Sequence, residues 1–261
     1  MKLNTYEWGD ESAPLVVCLH GVTGHGLRFR KLAEERLANR FHVVAADLRG
    51  HGHSTWDEPW DIAAHVTDLL ETFDQPAYWI GHSFGGRLIM EVAAVRPELV
   101  RRAALLDPAI FIPPFWADDL ATDARKKESY SSVDEAIQTR IVRSGLAHTP
   151  REILEEEVAV HGVEQPDGCI GYRYSENCVG DAYMELAKPA PPFDALRIPT
   201  LVVVGSLSKI VGAGEVELYK QALGDLFTLE VVPGGHSVLW DAFDETAAAI
   251  DAFLEGWAAW K

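Results

Sequence analysis

The segment Gly81-His82-Ser83-Phe84-Gly85, with Gly86 after it, restricts this chain more than any other. An apolar run, Tyr78-Trp79-Ile80, precedes it, and a helical stripe of Leu88, Ile89, Val92 and Val95 follows until Pro97 stops it. A serine at the junction, with glycine two residues before and two after, fits a turn too tight for side chains at those places. Such a turn pushes the hydroxyl clear of the sheet. It also sets the serine at a helix N-terminus, where backbone N–H groups have no carbonyl within the helix. A buried strand feeding a helix this abruptly needs further strands beside it, so the chain must alternate strand and helix.

It does. Apolar runs at 15–19, 42–47, 77–80, 103–106, 200–204 and 228–232 read as strands buried on both faces. Between them, Ile62, Val66, Leu69, Leu70 and Phe73 share one face of a helix starting near Asp61. Val216, Tyr219 and Leu223 mark another, and Ala247, Ile250, Phe253 and Leu254 a third. The pattern predicts an α/β fold with a mostly parallel, doubly wound sheet, and 261 residues suit one such core. The alternation breaks once, over 112–192, where helical patterns at 116–127, 133–143 and 150–161 follow one another. Pro113-Pro114 and Pro191-Pro192 bracket that interval. Residues 1–111 and 193–261 are therefore expected to form the core, and 112–192 a helical cap inserted between two strands.

Three further motifs accompany the serine turn: His20-Gly21 after an early strand, Asp47-Leu48-Arg49-Gly50-His51-Gly52-His53-Ser54 after the next, and Gly234-Gly235-His236-Ser237 near the end. Together they resemble the α/β-hydrolase family, in its capped esterase- and lactonase-like branch, over nearly the whole chain. The resemblance implies a serine hydrolase with Ser83 as nucleophile and His236, last in chain order, as general base and then acid. It implies an oxyanion hole from the Val22 and Phe84 backbone N–H groups, with Gly21 permitting the turn that aims Val22. It implies a small, uncharged ester or lactone with an apolar acyl or alcohol part as substrate, and no metal or organic cofactor. The segment from Arg49 to Ser54 is expected to fix a loop beside the site, since His51 and His53 have no cysteine or carboxylate cluster for a metal.

The sequence departs from the family at the acid. Relatives commonly carry Asp after the strand preceding the histidine strand, but this chain reads Gly205-Ser206-Leu207-Ser208, and Ser208 cannot hold the charge that stabilises imidazolium. Asp107, ending the run 103–106, is the expected substitute, since some relatives place the acid there; Asp241 and Glu215 are weaker candidates. Aromatic residues at the start of the cap, Phe111, Phe115 and Trp116, together with Trp240, are expected to border the substrate pocket.

Charge narrows the partners. With 23 Lys and Arg against 40 Asp and Glu, the net charge of −17 repels phosphate backbones and anionic lipid surfaces. No apolar stretch reaches the ~18 residues of a membrane span, so a cytoplasmic protein is expected, without nucleic-acid or membrane partners. Cys18, Cys169 and Cys178 form no C-x-x-C, and free thiols are the simpler reading beside one Cys169–Cys178 bridge. A C–C bond hydrolase or cofactor-free perhydrolase would use the same serine and histidine. From another class, a binding protein that had lost its acid would explain Ser208. Oligomeric state is not written in these residues.

Overall fold

The computed structural model describes residues 1–255; residues 256–261, the end of the second expected core segment, lie outside them. Nine strands form among the described residues: β1 (Thr5–Trp8), β2 (Leu15–Leu19), β3 (His42–Ala46), β4 (Ala77–His82), β5 (Val100–Leu106), β6 (Gly162–Glu164), β7 (Ile170–Tyr172), β8 (Thr200–Gly205) and β9 (Phe227–Val232). Seven of them make one sheet in the order β1-β3-β2-β4-β5-β8-β9. Every neighbouring pair is parallel except β1 on β3. This is the mostly parallel α/β sheet that the alternating pattern predicts. The edge strand β1 escaped that reading because it is half-buried and short, with no apolar run to announce it.

The helices are α1 (Arg30–Leu32), α2 (Ile62–Thr72), α3 (Phe84–Val95), α4 (Pro114–Ala124), α5 (Val133–Arg143), α6 (Arg151–His161), α7 (Glu176–Leu186), α8 (Ala213–Leu223), α9 (Val238–Asp241) and α10 (Phe243–Glu255). Strand residues alternate between the two faces, as a period of two requires. Val17, Leu19, Val44, Trp79, Leu105 and Val202 pack with Leu69, Leu88 and Tyr219 on one side. On the other, Val16, Cys18, Val43, Ile80, Leu106 and Val203 pack with Phe29, Leu32 and Ile250. Asp61 caps α2 by accepting from the Ala64 N–H at 2.8 Å, where the sequence placed that helix's start.

The stretch 112–192 lies between β5 and β8 and divides in its packing. Ala117 of α4 and Ala182 and Leu186 of α7 join the cluster on the sheet. By contrast, Ile137, Leu154, Val158 and Tyr172, from α5, α6 and the β6–β7 hairpin, form a cluster of their own. Two details differ from the expected helical series. Helix α4 starts at Pro114, where proline suits a first turn, and ends before Lys126 and Lys127. Helix α7 and the hairpin were not anticipated, because α7 buries small residues around Gly180 and each hairpin strand has three residues. Both stems of the insertion are tied to α3. The buried Arg87 guanidinium donates to the Ile110 carbonyl at 2.6 Å and the Pro189 carbonyl at 2.9 Å.

All three cysteines are free thiols, so the Cys169–Cys178 bridge is not formed. Burial pushes the Cys178 thiol up to about 12, and the Cys18 thiol higher still, which leaves both unreactive. No described helix is long and apolar enough to cross a membrane.

Candidate active site

Parallel register brings the carboxyl ends of the central strands to one edge. Leu19 lies opposite Gly81, His82 opposite Leu106, Leu106 opposite Val203, and Gly205 opposite Val232. The loops that follow carry Val22, Ser83, Asp107, Ser208 and His236, which gathers residues up to 214 positions apart in sequence at the edge where α/β sheets hold ligands.

Ser83 sits at φ 53°, ψ −116°, outside the regions an L-residue prefers; such conformations cost on the order of 1–3 kcal/mol. Its neighbours hold it there. The Ser83 N–H donates to the Leu106 carbonyl at 3.0 Å, and its carbonyl accepts from the Gly86 N–H at 2.9 Å and the Ala109 N–H at 3.2 Å. A Cβ on Gly81 would stand 2.6 Å from the Gly85 backbone, so glycine is required for strand and helix to meet this closely. One on Gly21 would stand 3.0 Å from Ser83 Cβ, which shows how near the β2 loop passes to the serine. Phe84 opens α3, so its N–H has no carbonyl one turn back in the helix. The Val22 carbonyl faces His51 Nε2 at 2.6 Å, and the Gly24 N–H donates to Gly21 at 3.0 Å, so hydrogen bonds fix this turn from both sides.

Buried histidines support the same loop. Burial holds the His20 ring well below its ordinary pKa; Nδ1 donates to the Gly21 carbonyl at 2.7 Å and Nε2 accepts from the Leu48 N–H at 2.9 Å. His51, also lowered by burial, faces the Arg49 carbonyl with its other nitrogen at 3.0 Å. The segment after β3 wraps the buried Asp47 carboxylate, which accepts from the Gly26 and His53 N–H groups at 2.8 and 2.9 Å. These bonds fold the segment into a tight loop beside the site.

Asp107, fully buried, meets His236. The ring Nδ1 donates to Asp107 Oδ2 at 2.5 Å, and the Ser208 hydroxyl donates to the same oxygen at 2.5 Å. A ring held at Nδ1 by a carboxylate has Nε2 left to accept a proton. Among the described residues, neither of the other two candidate acids hydrogen-bonds the His236 ring. Asp241 accepts from the Gly235 N–H at 2.7 Å and the Thr149 hydroxyl at 2.6 Å, bracing the histidine loop from behind. Glu215 is pushed up to about 7, first by burial and then by the charge of Asp107. Ser208, given no part on sequence, is a donor to the acid; its place where relatives carry Asp was the signal for its nearness. His82 was also missed. Burial lowers its pKa, and its Nε2 donates to the His236 carbonyl at 3.0 Å.

Ser83 and His236 line one cavity of about 240 Å³, with Val22, Ile112, Leu120 and Leu186 among its apolar walls and Arg140 among its polar ones. The aromatic residues expected there do not line it. Phe111, Phe115 and Trp116 are 51, 64 and 54% exposed. For the two on α4, Phe115 and Trp116, the reason is the register of that helix, which turns the small Ala117 and Ala121 inward and so carries the adjacent aromatics outward. Trp240 borders a neighbouring crevice, where its ring lies 4.4 Å from the Arg28 guanidinium.

Comparison with known proteins agrees with this architecture. A family model described as alpha/beta hydrolase fold matches residues 14–134. The chain is 29% identical to "Lipase LipV" of Mycobacterium tuberculosis, over 97% of this chain and 98% of that protein. It is also 29% identical to a 2-(acetamidomethylene)succinate hydrolase of Mesorhizobium japonicum, over 98% and 92%. A crystal structure of E-2-(acetamidomethylene)succinate hydrolase superposes with a TM-score of 0.84 at 25% identity, covering 97% of this chain and 95% of the other.

Proposed function

The chain belongs to the α/β-hydrolase superfamily, and we propose that within it the protein is a serine hydrolase acting on a small carboxylic ester or lactone. The observation that carries this reading is the Asp107–His236 pair at 2.5 Å, opening on the cavity that also holds Ser83 on its strained turn. In this mechanism His236 Nε2 takes the Ser83 hydroxyl proton as Oγ attacks the substrate carbonyl. The tetrahedral oxyanion is held by the Val22 and Phe84 N–H groups, each such donor contributing about 3–4 kcal/mol in other hydrolases. Collapse expels the alcohol, which receives the proton from His236, and an acyl group remains on Ser83. Water, activated by the same imidazole, then releases the acid and restores the hydroxyl. Asp107 orients the ring and stabilises its protonated form throughout.

The names of the relatives, a lipase and a succinate-derivative hydrolase, support hydrolysis and leave the bond open. A non-catalytic binding role rested on the uncharged Ser208; the Asp107 carboxylate on His236 weighs against it. Residues 112–192 would act as the cap over this site, supplying the cavity wall that includes Leu120, Arg140 and Leu186. Turnover of a short nitrophenyl ester tests the reading. Wild type should hydrolyse it, and Ser83→Ala should lose about 10⁴-fold or more in kcat. A Ser83→Ala variant that keeps the wild-type rate overturns the reading.

A further inference from the structure

Arg140 is a buried charged group in the cavity that the mechanism does not use. It lies on α5, on the face that also carries Ala136 and Ile137, and the residue is 3% exposed. Its Nη2 donates to the Thr23 hydroxyl at 3.1 Å, and its guanidinium carbon stands 4.3 Å from the centre of the Tyr172 ring. Nε and Nη1 are buried and meet no acceptor in good hydrogen-bond geometry among the described residues; the Tyr172 hydroxyl is the polar group beside them. The nearby carboxylates are engaged elsewhere. Glu157 takes Arg28 at 2.5 Å and His25 at 2.8 Å, and Glu128 accepts from the Tyr174 hydroxyl at 2.6 Å. Among the described residues, no carboxylate comes within ion-pair distance of Arg140. The other two cavity arginines differ from it: Arg28 is paired, and Arg143 is exposed beside Asp123.

A guanidinium keeps its charge in any environment, so burying one with unmet donors is costly unless something supplies the missing acceptors. In a chain of net charge −17 carboxylates are abundant, yet Glu157 and Glu128, whose charges reach Arg140, stop short of ion-pair distance. Arg140 instead faces the cavity shared with Ser83, anchored through Thr23 to the loop that carries Val22. We infer that Arg140 is the recognition group for a carboxylate on the substrate, so that the hydrolysed molecule is a small carboxylate-bearing ester. The carboxylate would lie against the guanidinium, and a short apolar spacer would run past Ile112, Leu120 and Leu186 to the carbonyl at Ser83. This rests on the serine-hydrolase reading above and narrows its substrate class.

A matched pair of esters tests it: the mono-nitrophenyl ester of glutaric acid, with its free carboxylate, against nitrophenyl valerate, which lacks one. Wild type should favour the carboxylate-bearing ester by roughly 10- to 100-fold in kcat/KM, mostly through KM, the range expected for hydrogen bonds to a charged partner. In Arg140→Gln that ratio should fall to near one, and Arg140→Lys should retain part of it. Because both esters are measured on one preparation, the ratio does not depend on how much protein is folded. If neither arginine variant folds, the wild-type ratio still decides, joined by calorimetric binding of glutarate against glutaramide to Ser83→Ala. Equal turnover of the two esters by wild type, or an unchanged ratio in Arg140→Gln, overturns the assignment. Failure of the wild type to turn over either ester, together with no labelling of Ser83 by a fluorophosphonate, overturns the serine-hydrolase reading itself and this one with it.

Discussion

At Asp107 a single carboxylate oxygen takes hydrogen bonds from both His236 and Ser208, each at 2.5 Å. The two donors should matter unequally. Asp107→Asn removes the charge and sets an amide against Nδ1, which favours the wrong tautomer; in a serine protease the corresponding change costs ~10⁴ in kcat. Ser208→Ala removes one neutral donor and should cost roughly 3- to 10-fold in kcat. Steady-state rates with circular dichroism as the folding control check both, and a fully active Asp107→Asn would remove the acid assignment. Glu215 adds a pH dependence to stability. Its pKa rises from 4.5 to about 7 on folding, so the folded state favours the protonated form. Stability from this group is therefore complete below pH 4.5 and lost as pH rises through about 7, a change of at most about 3 kcal/mol. Urea titrations of wild type and Glu215→Gln should coincide near pH 4.5 and diverge by pH 8, with the variant more stable; a gap independent of pH would contradict this. The sequence showed Ser83, His236 and Asp107 because each ends a strand or fills a motif. It offered Ser208 only as a missing acid and Glu215 only as a weaker candidate acid, and it hid Arg140, whose surroundings come from elements distant in sequence.

Among the elements, α4 and α7 reach the sheet's core through Ala117, Ala182 and Leu186, while α5, α6 and the hairpin form a separate layer that meets α7 at Val179. Replacing all of 112–192 by a linker should strip Ala117, Ala182 and Leu186 from the sheet's apolar cluster, expose the residues they cover and give insoluble protein. A smaller excision should be tolerated. Tyr130 and Ile170 exchange backbone hydrogen bonds at 2.9 and 2.7 Å, so a short turn replacing 132–168 can join there. That variant should stay folded by circular dichroism and soluble yield, but lose the Arg140-dependent ester preference. A folded protein after the larger deletion, or collapse after the smaller one, would contradict the division. In sequence, proline pairs and the loss of alternation set this stretch apart. Its internal division did not show, because α7 packs through Ala182 and Gly180 rather than through a stripe of large apolar residues. The orientation of α4 was misread for a similar reason: two alanines, not Phe115 and Trp116, face inward.

Across the whole molecule, parallel strands in register bring an early loop, a central turn and a late histidine to one edge. That convergence was readable from the motifs, since each follows a buried run, and the strand order explains how the acid can sit at β5. Because β5 lies between β4 and β8, a carboxylate at its end stands between the serine strand and Ser208. What the motifs could not convey was the cavity's chemistry, which depends on how the insertion folds back over the strand ends. The central claim is that Ser83 becomes acylated during turnover. Mass spectrometry of the protein quenched during turnover of a slowly released ester reads this directly. The account predicts one acyl mass added to wild type, located by fragmentation on Ser83, and no addition to Ser83→Ala. Turnover by folded wild type with no acyl adduct on Ser83 under conditions where deacylation limits the rate, or an adduct that persists in Ser83→Ala, would contradict it.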